Sequence, residues 1–141
     1  MSGKVFLDTN VLIYAATGRE DHPEKYRRAH DIIEDEDFGI STQVIGEFFH
    51  NVQNRKKMAH PLNYEQTIKW IDRFFLFPLI EIDRKIVESA MIVHQRYQLH
   101  YWDCVIVAAA ERLGAAVLYS EDMNHGQVYG VVRCENPFRV H

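Results

Sequence analysis

With 141 residues and 47% apolar composition, the chain is long enough to fill one hydrophobic core and too short for two ordinary domains, so a single domain over residues 1–141 is expected. A formal charge of -4 excludes global attraction to nucleic acid; any polyanion must be held by local basic residues or through bound cations. The apolar run from Val5 to Ala16 is interrupted by Asp8 and Asn10 and cannot span a bilayer, so a soluble, cytoplasmic protein with no membrane partner is expected.

Val5-Phe6-Leu7 favours β structure and leads into Asp8, the capping residues Thr9 and Asn10, and apolar Val11 to Tyr14, a pattern of strand, sharp turn and helix. Asp8 then stands at a strand's carboxyl end, where open α/β sheets bind ligands; alternatively Asp8, Thr9 and Asn10 only cap the next helix. Gly18 marks a loop, and Pro23 opens an amphipathic helix to about Asp35 through Tyr26, Ala29, His30 and Ile33. Phe38 to Ser41 reads as a second strand, and Ser41 or Thr42 caps a helix carrying Val44, Ile45, Phe48, Phe49 and Val52 along one stripe. Glu47 and Asn51 fall at the edge of that stripe. A carboxylate there is desolvated unless paired or bound to a metal, the alternative being a boundary glutamate that reaches water. The helix runs into Arg55-Lys56-Lys57, the densest basic cluster, which suits both the helix dipole and phosphate contacts.

Pro61 breaks the chain, Asn63 and Gln66 make a capping pair, and Tyr64, Ile68, Ile71 and Phe75 mark another amphipathic helix. The aromatic segment from Trp70 to Phe77 is read as core packing, with a homodimer or partner groove as the alternative. Leu79 to Ile82 gives a third strand, and Asp83 caps a helix from Arg84 to about Tyr97. Asp103 then reads as the N-cap of an almost wholly apolar, buried helix ending at Gly114, with Trp102 stapled onto Val107 rather than stacking on a base. Ala116 to Tyr119 is a fourth strand carrying Ser120-Glu121-Asp122 at its carboxyl end, and Tyr129 to Cys134 a short last one. This alternation predicts an α/β fold with a central, mostly parallel five-stranded sheet and helices on both faces.

Asp8 and Asp122 at strand ends, with Glu47 and Asp103 near two helix starts, can converge on one sheet edge. Four carboxylates make a hard-cation site suited to Mg²⁺ or Mn²⁺. Cys104 and Cys134 lack C-x-x-C spacing and the eight histidines form no H-E-x-x-H or H-x-H cluster, so neither zinc nor a disulfide framework is suggested. Without a cation the carboxylates would repel one another; with one, a phosphodiester can be polarised and bound water ionised. Such an ion also lets an acidic protein grip a polyanion, with Arg55, Lys56 and Lys57 as a basic rim for flanking phosphates.

The strings D-T-N-V-L-I-Y at Asp8, I-S-T-Q-V-I-G-E-F at Glu47, Y-W-D followed by I-V-A-A-A at Asp103, and L-Y-S-E-D-M-N-H-G with a closing N-P-F resemble the PIN-domain ribonucleases. More narrowly, the chain resembles the VapC-type toxins of bacterial or archaeal toxin–antitoxin pairs, over nearly its whole length. The resemblance implies a PIN-like α/β/α sandwich and metal-coordinating or water-activating roles for Asp8, Glu47, Asp103 and Asp122, supported by Thr9, Asn10 and Ser120. It also implies homodimerisation, Mg²⁺- or Mn²⁺-dependent endonucleolytic cleavage of RNA, and a small antitoxin that covers the active site and binds operator DNA. At the last acid, Glu121 remains an alternative to Asp122.

Other readings are a PIN nuclease of RNA maturation, a phosphate-receiving domain or phosphatase, and a silent binding module. An aspartyl phosphatase wants a second aspartate where Asn10 stands, and a receiver domain wants a lysine near Ser120, where none lies.

Overall fold

The computed structural model describes residues 4–139; residues 1–3 and 140–141, the ends of the expected domain, lie outside the described residues. The elements run β1 (Val5–Leu7), α1 (Thr9–Thr17), α2 (Pro23–Asp35), β2 (Phe38–Ser41), α3 (Thr42–Val52), α4 (Tyr64–Phe74), β3 (Leu79–Ile80), α5 (Arg84–Tyr97), α6 (Tyr101–Leu113), β4 (Val117–Tyr119), β5 (Val128–Tyr129) and β6 (Val132–Glu135). Strand order is β3-β2-β1-β4-β6-β5, parallel throughout except for β5, which pairs antiparallel with β6. The order reverses between β1 and β4. At such a reversal the following helices diverge to opposite faces and leave a crevice at the strand tips. Asp8 ends one of those two strands and Ser120 the other.

The sheet is flanked by helices, as its parallel crossovers require. Helix α6 packs against β1, β2, β3, β4 and β6 and carries α5 on its side, while α1, α2, α3 and α4 pack among themselves. Cys104 through Ala110 are all buried, so α6 is apolar all round because it has protein on every side. Its small alanines let it lie close. At β2, a Cβ on Gly39 would meet Leu113 Cδ2 of α6 at 2.6 Å, so a side chain there would require Leu113 to move. Among the described residues no helix is long and apolar enough to cross a membrane.

Several helix ends are set by local chemistry. Asn63 and Gln66 form a reciprocal capping box, Asp83 caps α5 through Ile86 N–H, and Gly114 closes α6 at φ +84°. Five expectations need correction. The sheet has six strands instead of five: Gly130, at φ +65°, turns the expected Tyr129–Cys134 strand into a β5–β6 hairpin in which Tyr129 pairs with Val132. β3 stops at Ile80 because Ile82 N–H donates to the Thr42 hydroxyl at 3.1 Å instead of to a neighbouring strand. α6 begins at Tyr101 with His100 as N-cap; Asp103 N–H already donates to His100 C=O, so Asp103 is inside the first turn and not its cap. Trp102 is 54% exposed and makes no staple onto buried Val107. Finally, the apolar stripe of α3 is narrower than expected, burying Val44, Phe48 and Val52 but leaving Phe49 exposed beside Tyr64, and Phe75 and Leu76 after α4 are exposed while Phe74 is core.

Candidate active site at the sheet's carboxyl edge

Asp8 follows β1 directly, and its backbone N–H still donates to Tyr119 C=O of β4, which fixes the two strand tips together. Its side chain caps α1: Oδ1 accepts from Thr9 N–H at 2.7 Å, and Oδ2 accepts from the Ser120 hydroxyl at 2.8 Å. Asp8, Thr9 and Ser120 are buried. One carboxylate therefore performs both jobs left open by the sequence, capping a helix and facing the crevice. The Ser120 hydroxyl also accepts from Asp122 N–H at 3.3 Å, so the turn after β4 is folded around the same oxygen.

The other acids are tied to this centre. Thr9 Oγ1 donates to Glu47 Oε1 at 2.9 Å, and Asn10 Nδ2 donates to Asp122 Oδ2 at 3.3 Å. Burial raises the pKa of Asp8 to about 6; the bonds from Ser120 and Thr9 pull it down, while the charges of Glu47 and Asp122 push it further up. Burial also raises Asp103, which His100 offsets and the charge of Asp122 reinforces. Repulsion thus links Glu47 to Asp8, Asp8 to Asp122, and Asp122 to Asp103. Hydrogen bonds tie Glu47 to this centre through Thr9, and Asp122 through Asn10 and Ser120, while Asp103 is linked to it only by the charge of Asp122.

Glu121 bonds outside this network. Its Oε1 accepts from the Tyr14 hydroxyl at 2.6 Å and its Oε2 is paired with Lys25, whose ammonium also donates to Tyr14 at 3.3 Å. This clasp joins α1, α2 and the turn after β4. Glu121 and Asp122 thus point to different neighbours. Nothing in the sequence signalled this role for Tyr14, which closes the D-T-N-V-L-I-Y string, or for Lys25, because their partner lies about a hundred residues away.

Two open grooves flank the acids. One, of about 370 Å³, runs from Asn10 past Tyr14 to His60; the other, of about 490 Å³, lies between α3 and α6 and is bounded by Gln43, Gly46, Glu47 and Trp102. Lys57 lines both. α3 ends at Val52, and the Arg55-Lys56-Lys57 cluster occupies a separate turn held by Asn54, whose side chain accepts from Lys56 N–H at 3.0 Å. Arg55 and Lys56 are exposed in that turn and line neither groove. Gln43, also unmarked in the sequence, spans from Trp102 C=O at 3.2 Å to Glu47 Oε1 at 3.5 Å.

Among the described residues, no three His, Cys, Asp or Glu side chains stand close enough to enclose an ion as they are. The fit is one of donor chemistry. Carboxylate, amide and hydroxyl oxygens surround the crevice, and Asn10 Oδ1 and Gln43 Oε1, both shut off from solvent, accept no hydrogen bond. Unmet oxygens beside mutually repelling carboxylates suit a hard divalent cation, which would relieve both deficits.

A doubly wound sheet with acids gathered at its switch point defines a class of α/β protein that handles ligands at its carboxyl edge. Within that class, the model of the PIN domain matches residues 5–131, and the chain belongs to that family. Its fold is similar to that of a toxin–antitoxin complex from Klebsiella pneumoniae, with a TM-score of 0.69 and 22% identity over 96% of this chain and 99% of that one. It is also similar to VapC20 of Mycobacterium tuberculosis, a sarcin-ricin loop cleaving toxin, with a TM-score of 0.63 and 14% identity over 84% and 89% of the two chains. VapBC2 of Rickettsia felis, bound to a DNA fragment from its promoter, gives 0.63 and 19% over 93% and 96%. At these identities the likeness is one of fold. No curated protein matches the sequence.

Proposed function

We propose that the protein is a divalent-metal-dependent endoribonuclease and the toxin of a VapBC-type toxin–antitoxin pair. The observation that carries this reading is the linkage of Asp8, Ser120, Asp122, Thr9 and Glu47 through side-chain and backbone hydrogen bonds at the β1–β4 switch point. Asp8, Glu47, Asp103 and Asp122 would hold one or two Mg²⁺ or Mn²⁺ ions, which when bound supply ionised water and neutralise charge on the phosphate. Ser120 keeps Asp8 Oδ2 aimed at the crevice, Thr9 orients Glu47, and Asn10 restrains Asp122. Lys57, between the two grooves, meets flanking phosphates, and Arg55 and Lys56 add long-range attraction.

The toxin reading draws on fold relatives that are toxins or toxin–antitoxin complexes. It carries with it a small antitoxin that covers the site and binds operator DNA, and a second copy of the chain. Exposed Phe75 and Leu76 after α4, and Met91 and Ile92 on α5, support the expectation of partners, since adjacent apolar side chains are seldom left to water.

The test is incubation of a labelled total-RNA pool with the protein in Mg²⁺ or Mn²⁺, with chelator, and with Asp8→Asn. Discrete cuts lost in both controls are expected. Cuts that persist in either control sink the assignment.

A further inference from the structure

We propose that Trp102 and Gly46 form a nucleobase slot beside the acids, in which a base of single-stranded RNA next to the cut phosphate stacks on the Trp102 indole while Lys57 meets the adjoining backbone. This deepens, and rests on, the nuclease reading above. Trp102 immediately precedes Asp103 and is 54% exposed in the first turn of a helix whose middle, Cys104 to Ala110, is buried. It is not loose. Its carbonyl accepts from Gln43 Nε2 at 3.2 Å, and the Tyr101 ring meets the indole edge-on at 5.0 Å. A large aromatic braced on one edge by Tyr101 and left to solvent is suited to stack on a base.

Gly46 supplies an independent observation. It lies inside α3, where glycine costs stability relative to alanine. Packing does not require it: a Cβ built at Gly46 meets no atom within 4 Å. What the missing side chain leaves empty is the groove it shares with Trp102, Glu47 and Lys57, whose volume of about 490 Å³ lies in the range of small-ligand clefts. An aromatic face, a basic rim at Lys57 and a carboxylate of the acid crevice at Glu47 therefore bound one space. That sequence of groups matches a splayed base, its phosphate and the adjoining site of cleavage. Single-stranded RNA presents its bases unstacked in this way, and duplex does not.

The test uses the full chain carrying Asp8→Asn to prevent turnover and Trp70→Phe, which leaves Trp102 as the lone tryptophan of the two. Titration with unstructured homopolymer RNA of about eight nucleotides is expected to quench its emission in a saturable, salt-sensitive manner. Trp102→Ala should weaken binding, read by anisotropy of labelled RNA, roughly 5- to 100-fold. Gly46→Met should weaken it comparably while the melting temperature stays level or rises, an outcome that a merely structural glycine would not give. Quenching absent on RNA addition, or Gly46→Met and Trp102→Ala proteins that bind RNA like their parent, overturns the slot. If the unmodified chain cuts RNA and the two slot variants cut the same positions with the same kcat/KM, the slot falls and the nuclease reading stands. If it cuts nothing while RNA still quenches Trp102 and Gly46→Met abolishes that quenching, the slot stands and the nuclease reading falls.

Discussion

The β1–β4 switch point and the α3–α6 groove lie side by side and are built on opposite principles. At the switch point Asp8 is 8% exposed and receives bonds from Thr9 N–H and the Ser120 hydroxyl, so its carboxylate is aimed before any ligand arrives. In the groove, Glu47 is only half-buried, Trp102 faces solvent, and Gly46 leaves its surroundings empty. Preorganising a charge requires burying it, and the raised pKa of Asp8 measures what that costs the fold. Leaving room for a ligand costs differently, in an exposed aromatic and a helix glycine. Both regions depart from what stability alone would select, and each departure sits at a place the proposed function uses.

The sharpest separation of the two regions comes from Asp8→Asn. Loss of the buried charge is expected to lower RNA cleavage by at least about 10³-fold, read as kcat/KM, while the fold is retained. A loss of only a few-fold would mean that the buried half of the site is scaffolding. The same variant tests the cost of burial. The pKa of Asp8 stands at about 6 in the fold against an ordinary 3.8, so the folded protein holds this proton more tightly than the unfolded chain. The stabilisation by protonation is then fully present below about pH 3.8 and is lost as pH rises through about 6, amounting to about 3 kcal/mol for the metal-free protein. Denaturant unfolding in chelator should show Asp8→Asn gaining on its parent by up to that amount between pH 4 and pH 7. A constant difference across that range would remove burial as the cause.

Much of the switch point was legible because its signals are local. A β-favouring run, an acid and two capping residues specify the β1–α1 turn within six residues, and Ser120 and Asp122 follow β4 in the same way. The groove was less so. Asp103 is a better capping residue than His100, so the sequence favours a helix start three residues late, and that error also hides the exposure of Trp102. The hairpin at Gly130 was missed because a two-residue strand has no measurable period. Glu121 and Asp122 stand on consecutive positions of a turn, where no periodicity distinguishes them; the partners that do, Tyr14 and Lys25 for one and Asn10 for the other, come from the far end of the chain. Contacts across that distance leave no mark in a single sequence.

Smaller effects probe how the rigid half is held. Ser120→Ala removes the one hydroxyl that serves both Asp8 and the Asp122 backbone, and by analogy with groups that orient metal ligands it should lower kcat/KM by 10- to 100-fold with little change in melting temperature. The Glu121 clasp should matter less. Its ion pair with Lys25 is partly solvated, with the two side chains 37% and 22% exposed, and such pairs contribute weakly. Glu121→Gln keeps a partner for Tyr14 but loses the charge opposite Lys25, so a decrease of roughly 2- to 5-fold in kcat/KM is expected, against a far larger loss for Asp122→Asn. Because the clasp acts only by holding the turn, Lys25→Met should give the same small decrease and the double variant no more than either alone. If Glu121→Gln instead matches Asp122→Asn and shifts the Mn²⁺ concentration needed for cleavage, then Glu121 turns into the crevice when the ion binds, and the division between a fixed acid centre and its outer clasp fails at this residue.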